Sequence, residues 1–130
     1  MGSFSTPAVG GGPVIYAADL AADFSTNSTE YVDAFVFTFT LPWRANLLIL
    51  PYIDYVSVTG GGSYTRVLYD GGVLREVSNA YGDFKCFGYF PIFNANPGPH
   101  TVKIQVMISN ADYTVTLKRP SYFRILAMPV

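Results

Sequence analysis

Histidine and cysteine occur once each in this chain, as His100 and Cys86, and charged residues make up only 13% of it. A single cysteine excludes an internal disulfide. Its neighbours Phe84, Phe87 and Tyr89 mark it as a small buried hydrophobe rather than a reactive thiol. One histidine and one cysteine fall short of the three or four protein ligands that a zinc site takes, so no metal or cofactor is expected. General acid–base work has only His100 to draw on. That residue follows Pro97-Gly98-Pro99 and reads as a cap that bonds the turn's backbone. The nine acids are dispersed from Asp19 to Asp112, and nothing singles out a carboxylate pair for glycoside hydrolysis. No Gly-x-Ser-x-Gly elbow is present, and neither glycine triplet, at 10–12 or 60–62, opens a helix whose amides would cradle a phosphate. No enzyme is expected from this inventory.

Charge of either sign is also too thin to attract a polyelectrolyte. Eight Lys and Arg against nine acids leave a net charge of −1, scattered along the chain, which lacks the basic footprint of a nucleic-acid binder. No apolar run approaches the roughly 18 residues of a membrane span, and the first residues lack the basic and apolar regions of a secretory leader. The expectation is a protein made in the cytoplasm without membrane contact.

What the chain does have is apolar and aromatic surface: 50% hydrophobic residues and 16% aromatics. With so little charge to cover the outside, a protein–protein or subunit interface is expected, and with it an oligomer. The pattern is that of strands. Residues 97–109 release Val102, Ile104, Val106 and Ile108 to one face and Thr101, Lys103, Gln105 and Met107 to the other. Residues 31–41 alternate in the same way, with Phe35, Phe37, Phe39 and Leu41 together. Asp70-Gly71 between two alternating runs is a hairpin signal. Residues 84–93 read as one aromatic strand, 113–117 and 122–128 as two more, 19–28 as a loop or helical turn, and 60–62 as a flexible connection. Pro51 argues for a bulge or an edge.

About eight strands without an amphipathic helix give an all-β fold, an antiparallel β-sandwich of jelly-roll type. Residues 13–130 form its single domain. Residues 1–12, closed by three glycines, form a flexible N-terminal arm, either a disordered tail or an arm that orders only on a neighbouring subunit, with Phe4 and Val9 as its anchors. The phenylalanines at period two are core. Trp43, Tyr52, Tyr55, Tyr64 and Tyr81, near loops, are the candidate interaction residues, in the core, at a subunit interface, or as stacking platforms for sugars or bases.

Two stretches, Tyr69-Asp70-Gly71-Gly72 and Gly98-Pro99-His100-Thr101-Val102-Lys103-Ile104-Gln105-Val106, resemble small β-sandwich modules in virion proteins of tailed bacteriophages. These are head decoration proteins and tail or receptor-binding tips, and the likeness covers residues 67–109. The resemblance implies a jelly roll, commonly a homotrimer, that acts in the virion by protein–protein contacts after synthesis in the host cytoplasm. Its first implication is a capsid decoration protein that clips capsid subunits together, with the N-terminal arm as clasp. Its alternative is a receptor- or carbohydrate-binding tip of a tail fibre that meets a host-surface glycan through exposed tyrosines.

Overall fold

Alternation of period two carries most of the described residues into strands, because side chains that point alternately inward and outward can bury one face only in an extended backbone. The computed structural model describes residues 2–3, 12–79 and 84–130, with the side chains of 2–3, 55, 79 and 84–87 outside the description. Eleven strands are found among the described residues, and no helix. They are β1 (Gly2–Ser3), β2 (Val14–Asp19), β3 (Phe24–Thr26), β4 (Val32–Leu41), β5 (Ala45–Val58), β6 (Ser63–Tyr69), β7 (Gly72–Asn79), β8 (Phe84–Phe87), β9 (Phe90–Ala95), β10 (Gly98–Ile108) and β11 (Val115–Pro129).

The strands form two antiparallel sheets. The larger runs β1-β2-β11-β5, with β8 and β9 in line along the far edge of β5 and β3 beside the start of β11. The smaller runs β4-β10-β6-β7. The four apolar residues of the opening pattern, Val102, Ile104, Val106 and Ile108, are wholly buried on the inner face of β10. They face Ile49, Ile53, Phe123 and Ile125 of the larger sheet in one core. The rings of Phe35 and Phe123, one from each sheet, lie 5.4 Å apart. Tyr16 reaches across from β2, its ring 5.1 Å from that of Phe39 and its hydroxyl donating to the Thr40 carbonyl at 2.9 Å. The result is the expected jelly-roll-like β-sandwich.

The count of about eight strands was too low, for local reasons. The supposed loop at 19–28 contains β3, which pairs Phe24 with Leu117. The aromatic stretch 84–93 is broken at Gly88 and Tyr89, opposite Leu50 and Pro51. Proline has no amide hydrogen to offer a neighbour, and β5 continues through Pro51 while its neighbour breaks. Conversely, the two expected C-terminal strands are one: β11 passes Arg119 and Pro120 by a register shift between Lys118 and Ser121. The glycine loop at 60–62 is held rather than free. Gly62 N donates to Ser109 Oγ at 2.8 Å, Ser109 N donates to the Gly62 carbonyl at 2.7 Å, and a Cβ on Gly60 would lie 2.7 Å from the Tyr113 ring. Of the expected arm, Gly2 and Ser3 pair with Ala18 and Ala17 of β2, Gly12 is exposed, and residues 1 and 4–11 lie outside the described residues.

Candidate functional site

The outer face of the smaller sheet carries a row of polar side chains set side by side across all four strands. Asp33 of β4 is opposite Gln105 of β10, Gln105 is opposite Arg66 of β6, and Arg66 is opposite Glu76 of β7. Gln105 Nε2 donates to Asp33 Oδ1 at 2.7 Å, and Arg66 Nε donates to Gln105 Oε1 at 2.8 Å. Lys103 Nζ donates to the second Asp33 oxygen at 3.1 Å. Tyr31, just before β4, lies under the Arg66 guanidinium, with 3.9 Å from Cζ to the ring centre, and its hydroxyl donates to Glu76. Each planar group is therefore fixed by a neighbour. The Gln105 amide, helped by Lys103, holds the Asp33 carboxyl below its ordinary range, while burial and the Glu76 carboxylate push the Tyr31 hydroxyl upward. The row pairs Met107, Tyr64 and Ser78 along one border, and Lys103, Leu68 and Val73 along the other. It offers donors and acceptors in alternation with charges balanced, an arrangement suited to a hydroxyl-rich neutral ligand.

The outer face of the larger sheet is of the opposite character. Ile15 of β2, Leu126 of β11, Leu48 of β5 and Pro91 of β9 are opposed in one row across four strands. Beside it stand Ala17, Arg124 and Leu50, then Asp19, Tyr122 and Tyr52. Arg124 pairs with Asp19 at 2.9 Å and lies 4.3 Å over the Tyr122 ring, which itself stacks on Tyr52 at 4.8 Å. The Tyr52 hydroxyl donates to Asp54 at 2.9 Å. Tyr89 and Phe93, flanking Pro91, are 70% and 71% exposed.

The sequence candidates are thus spread over both faces rather than gathered. Tyr64 stands beside the polar row, Tyr52 stacks on the opposite face, and Trp43 is half-buried against the core. Phe4, Val9 and Tyr81 lie outside the described residues, as does the Tyr55 side chain. The row's members, Asp33, Arg66, Glu76 and Gln105, were missed: they are far apart in sequence, and only strand register joins them. Their one sequence signal was the polar face of residues 97–109.

His100 does bond its turn, with Nε2 2.6 Å from the Asn96 carbonyl oxygen, but it also joins the two stretches behind the phage resemblance. Its Nδ1 is 2.7 Å from Asp70 Oδ2 and 2.9 Å from the Tyr69 hydroxyl. Asp70 Oδ1 accepts from Thr101 N at 2.8 Å, while Asp70 N donates to the Thr101 carbonyl at 2.8 Å. Burial first, and the Asp70 charge second, push the Tyr69 hydroxyl up to about 12. Asp70 and Gly71, with φ of 47° and 85°, make the expected hairpin turn. This cluster ties the β6–β7 hairpin to β10. Among the described residues no group of three or more His, Cys, Asp and Glu is arranged to hold a metal.

No family model and no curated protein sequence matches the chain. Solved structures resemble it in fold. Dimeric latent PorU from Porphyromonas gingivalis aligns over 85% of this chain at 10% identity and a TM-score of 0.50. The carbohydrate-binding module CBM36, solved with calcium and xylotriose, aligns over 94% of this chain and 91% of its own at 9% identity, TM-score 0.43. A family 35 carbohydrate-binding module from Clostridium thermocellum aligns over 87% and 96% at 12%, TM-score 0.43. The chain spans 13% of PorU, and 19% of the Bacillus thuringiensis delta-endotoxin Cry8Ea1 that it also resembles. At these identities the likeness is one of fold.

Proposed function

We propose that this domain is a carbohydrate-binding module of the receptor-binding kind, acting by contact alone, which seats a neutral glycan across the row Asp33, Gln105, Arg66 and Glu76. The observation that carries the reading is the row itself: four planar polar side chains aligned across a sheet, three fixed by one another and Glu76 by Tyr31. A sugar hydroxyl both donates and accepts, so neighbouring hydroxyls are matched by an amide, a guanidinium and a carboxylate standing side by side. Because the groups are already ordered, binding costs little side-chain entropy. Tyr64, on the border of the row, offers a ring for the apolar C–H face of the sugar. Several fold neighbours carry carbohydrate binding in their names, but the reading rests on the side chains, not on those distant likenesses. The row favours a receptor-binding tip over capsid decoration, since a tight protein contact on this face calls for an apolar, dehydrated centre.

A glycan array followed by calorimetric titration of the best oligosaccharide tests this. Arg66→Ala is expected to weaken binding about 10- to 100-fold, the loss of a charge-assisted hydrogen bond, with the unfolding temperature nearly unchanged. A wild-type chain that binds nothing on a broad array, or an Arg66→Ala chain that binds as tightly as wild type, overturns it.

A further inference from the structure

The outer face of the larger sheet sits on the other side of the sandwich and has no part in that glycan site. We infer that it is the surface on which a second copy of this chain packs. The row Ile15, Leu126, Leu48 and Pro91 contains no hydrogen-bonding side chain, and Ala17 and Leu50 extend it on either side of Arg124. Ile15 is 57% exposed, and Tyr89 and Phe93 expose still more ring at the β9 edge. The polar groups here are satisfied within the chain: Arg124 by Asp19 and the Tyr122 ring, Asp54 by the Tyr52 hydroxyl. The occupant therefore has no charge to answer and must be flat and apolar.

That chemistry separates the candidate occupants. A glycan finds no hydrogen-bond partner along the aliphatic row. An anionic membrane surface calls for a basic rim, whereas Arg124 is already paired and Asp19 stands beside it. A second copy supplies what fits, an identical flat sheet face, and sheets pack face to face about 10 Å apart, as they do inside this sandwich. Under two-fold symmetry the same patch serves both partners.

The area sets the strength. Four strands about 4.8 Å apart, over about six residues of length, give a footprint of roughly 400 Å² per copy, or about 800 Å² for a pair. This is below the 1,200–2,000 Å² of stable complexes, so the association is reversible and concentration-dependent.

Sedimentation equilibrium from micromolar to millimolar chain tests the inference. The mass is expected to rise above that of the monomer, and Leu126→Lys to raise the half-association concentration at least about tenfold, with glycan binding retained. Val36→Lys, on the opposite face, should leave association unchanged. If Leu126→Lys lowers the unfolding temperature, Ile15→Lys repeats the test at a position already more than half exposed. A monomeric mass throughout overturns the inference, as does association that survives both lysines. So does a chain that is monomeric in solution but co-sediments with phosphatidylcholine vesicles through these same residues, an outcome that assigns the face to lipid.

Discussion

The two sheets present alike inner faces and opposite outer ones. Inward, both are aliphatic and aromatic, and they close on one core. Outward, four opposed residues across the smaller sheet read Asp33, Gln105, Arg66 and Glu76, while four across the larger read Ile15, Leu126, Leu48 and Pro91. The polar row bonds to itself; the apolar row has no such bonds to make. The chain's shortage of charge is thus unevenly spread, and a composition average conceals one hydrated face and one that lowers its free energy by being covered. If copies join through the larger sheets as inferred, the polar rows would point away from the joint and could engage a ligand several at a time.

If the inner faces hold the fold and the outer faces hold function, the largest stability effect belongs to an inner residue. Phe123 is fully buried against Phe35, and Phe123→Ala is expected to cost about 3–5 kcal/mol, read by chemical denaturation. A loss no greater than that of Leu126→Lys would break the contrast between inner and outer faces. Next comes the cluster that pins the hairpin. Asp70→Ala removes the acceptor of His100 and of Thr101 N, leaving a buried histidine short of a partner, for an expected loss of about 1–3 kcal/mol. Glycan affinity should hold, because Asp70 makes no contact with the row. Affinity falling in step with stability would instead tie the row to this junction.

The sequence made the sandwich legible because alternation reports burial directly: Val102 to Ile108 and Phe35 to Leu41 face the core as their spacing requires. Boundaries were less legible wherever a tertiary partner overrode local chemistry. Pro120 stays inside β11 because a bulge takes it out of the ladder, and β3 exists because β11 offers it an edge. The two outer faces were half visible. Low charge pointed to an apolar outer face, but not to its strands. The candidate tyrosines lie near loops, whereas the proposed row rests on register. Asp33 and Gln105 are joined by the pairing of β4 with β10, after a shift between Ile104 and Gln105 that no local pattern announces.

The smallest expected effect on stability separates the faces by their response to acid. The Gln105 amide and Lys103 hold the Asp33 carboxyl below its ordinary range. A lowered carboxyl stabilises the folded chain above its unfolded value, and that stabilisation is lost as pH falls through the still lower folded value. Asp33 keeps 42% of its side chain in solvent, so screening limits the change in stability to a few tenths of a kcal/mol. Binding is a sharper readout, because protonation removes an acceptor from the row itself. Glycan affinity is expected to be level near neutral pH and to decline only below the ordinary carboxylate range, with Asp33→Asn weaker at neutral pH and flatter across the acid range. The aliphatic row of the larger sheet holds no titrating group, and Asp19 and Asp54 stand only at its border, so the sedimenting mass should change less than glycan affinity over the same range. Mass and affinity that fall together, with Asp33→Asn tracking wild type, would mean that the two outer faces are one coupled surface.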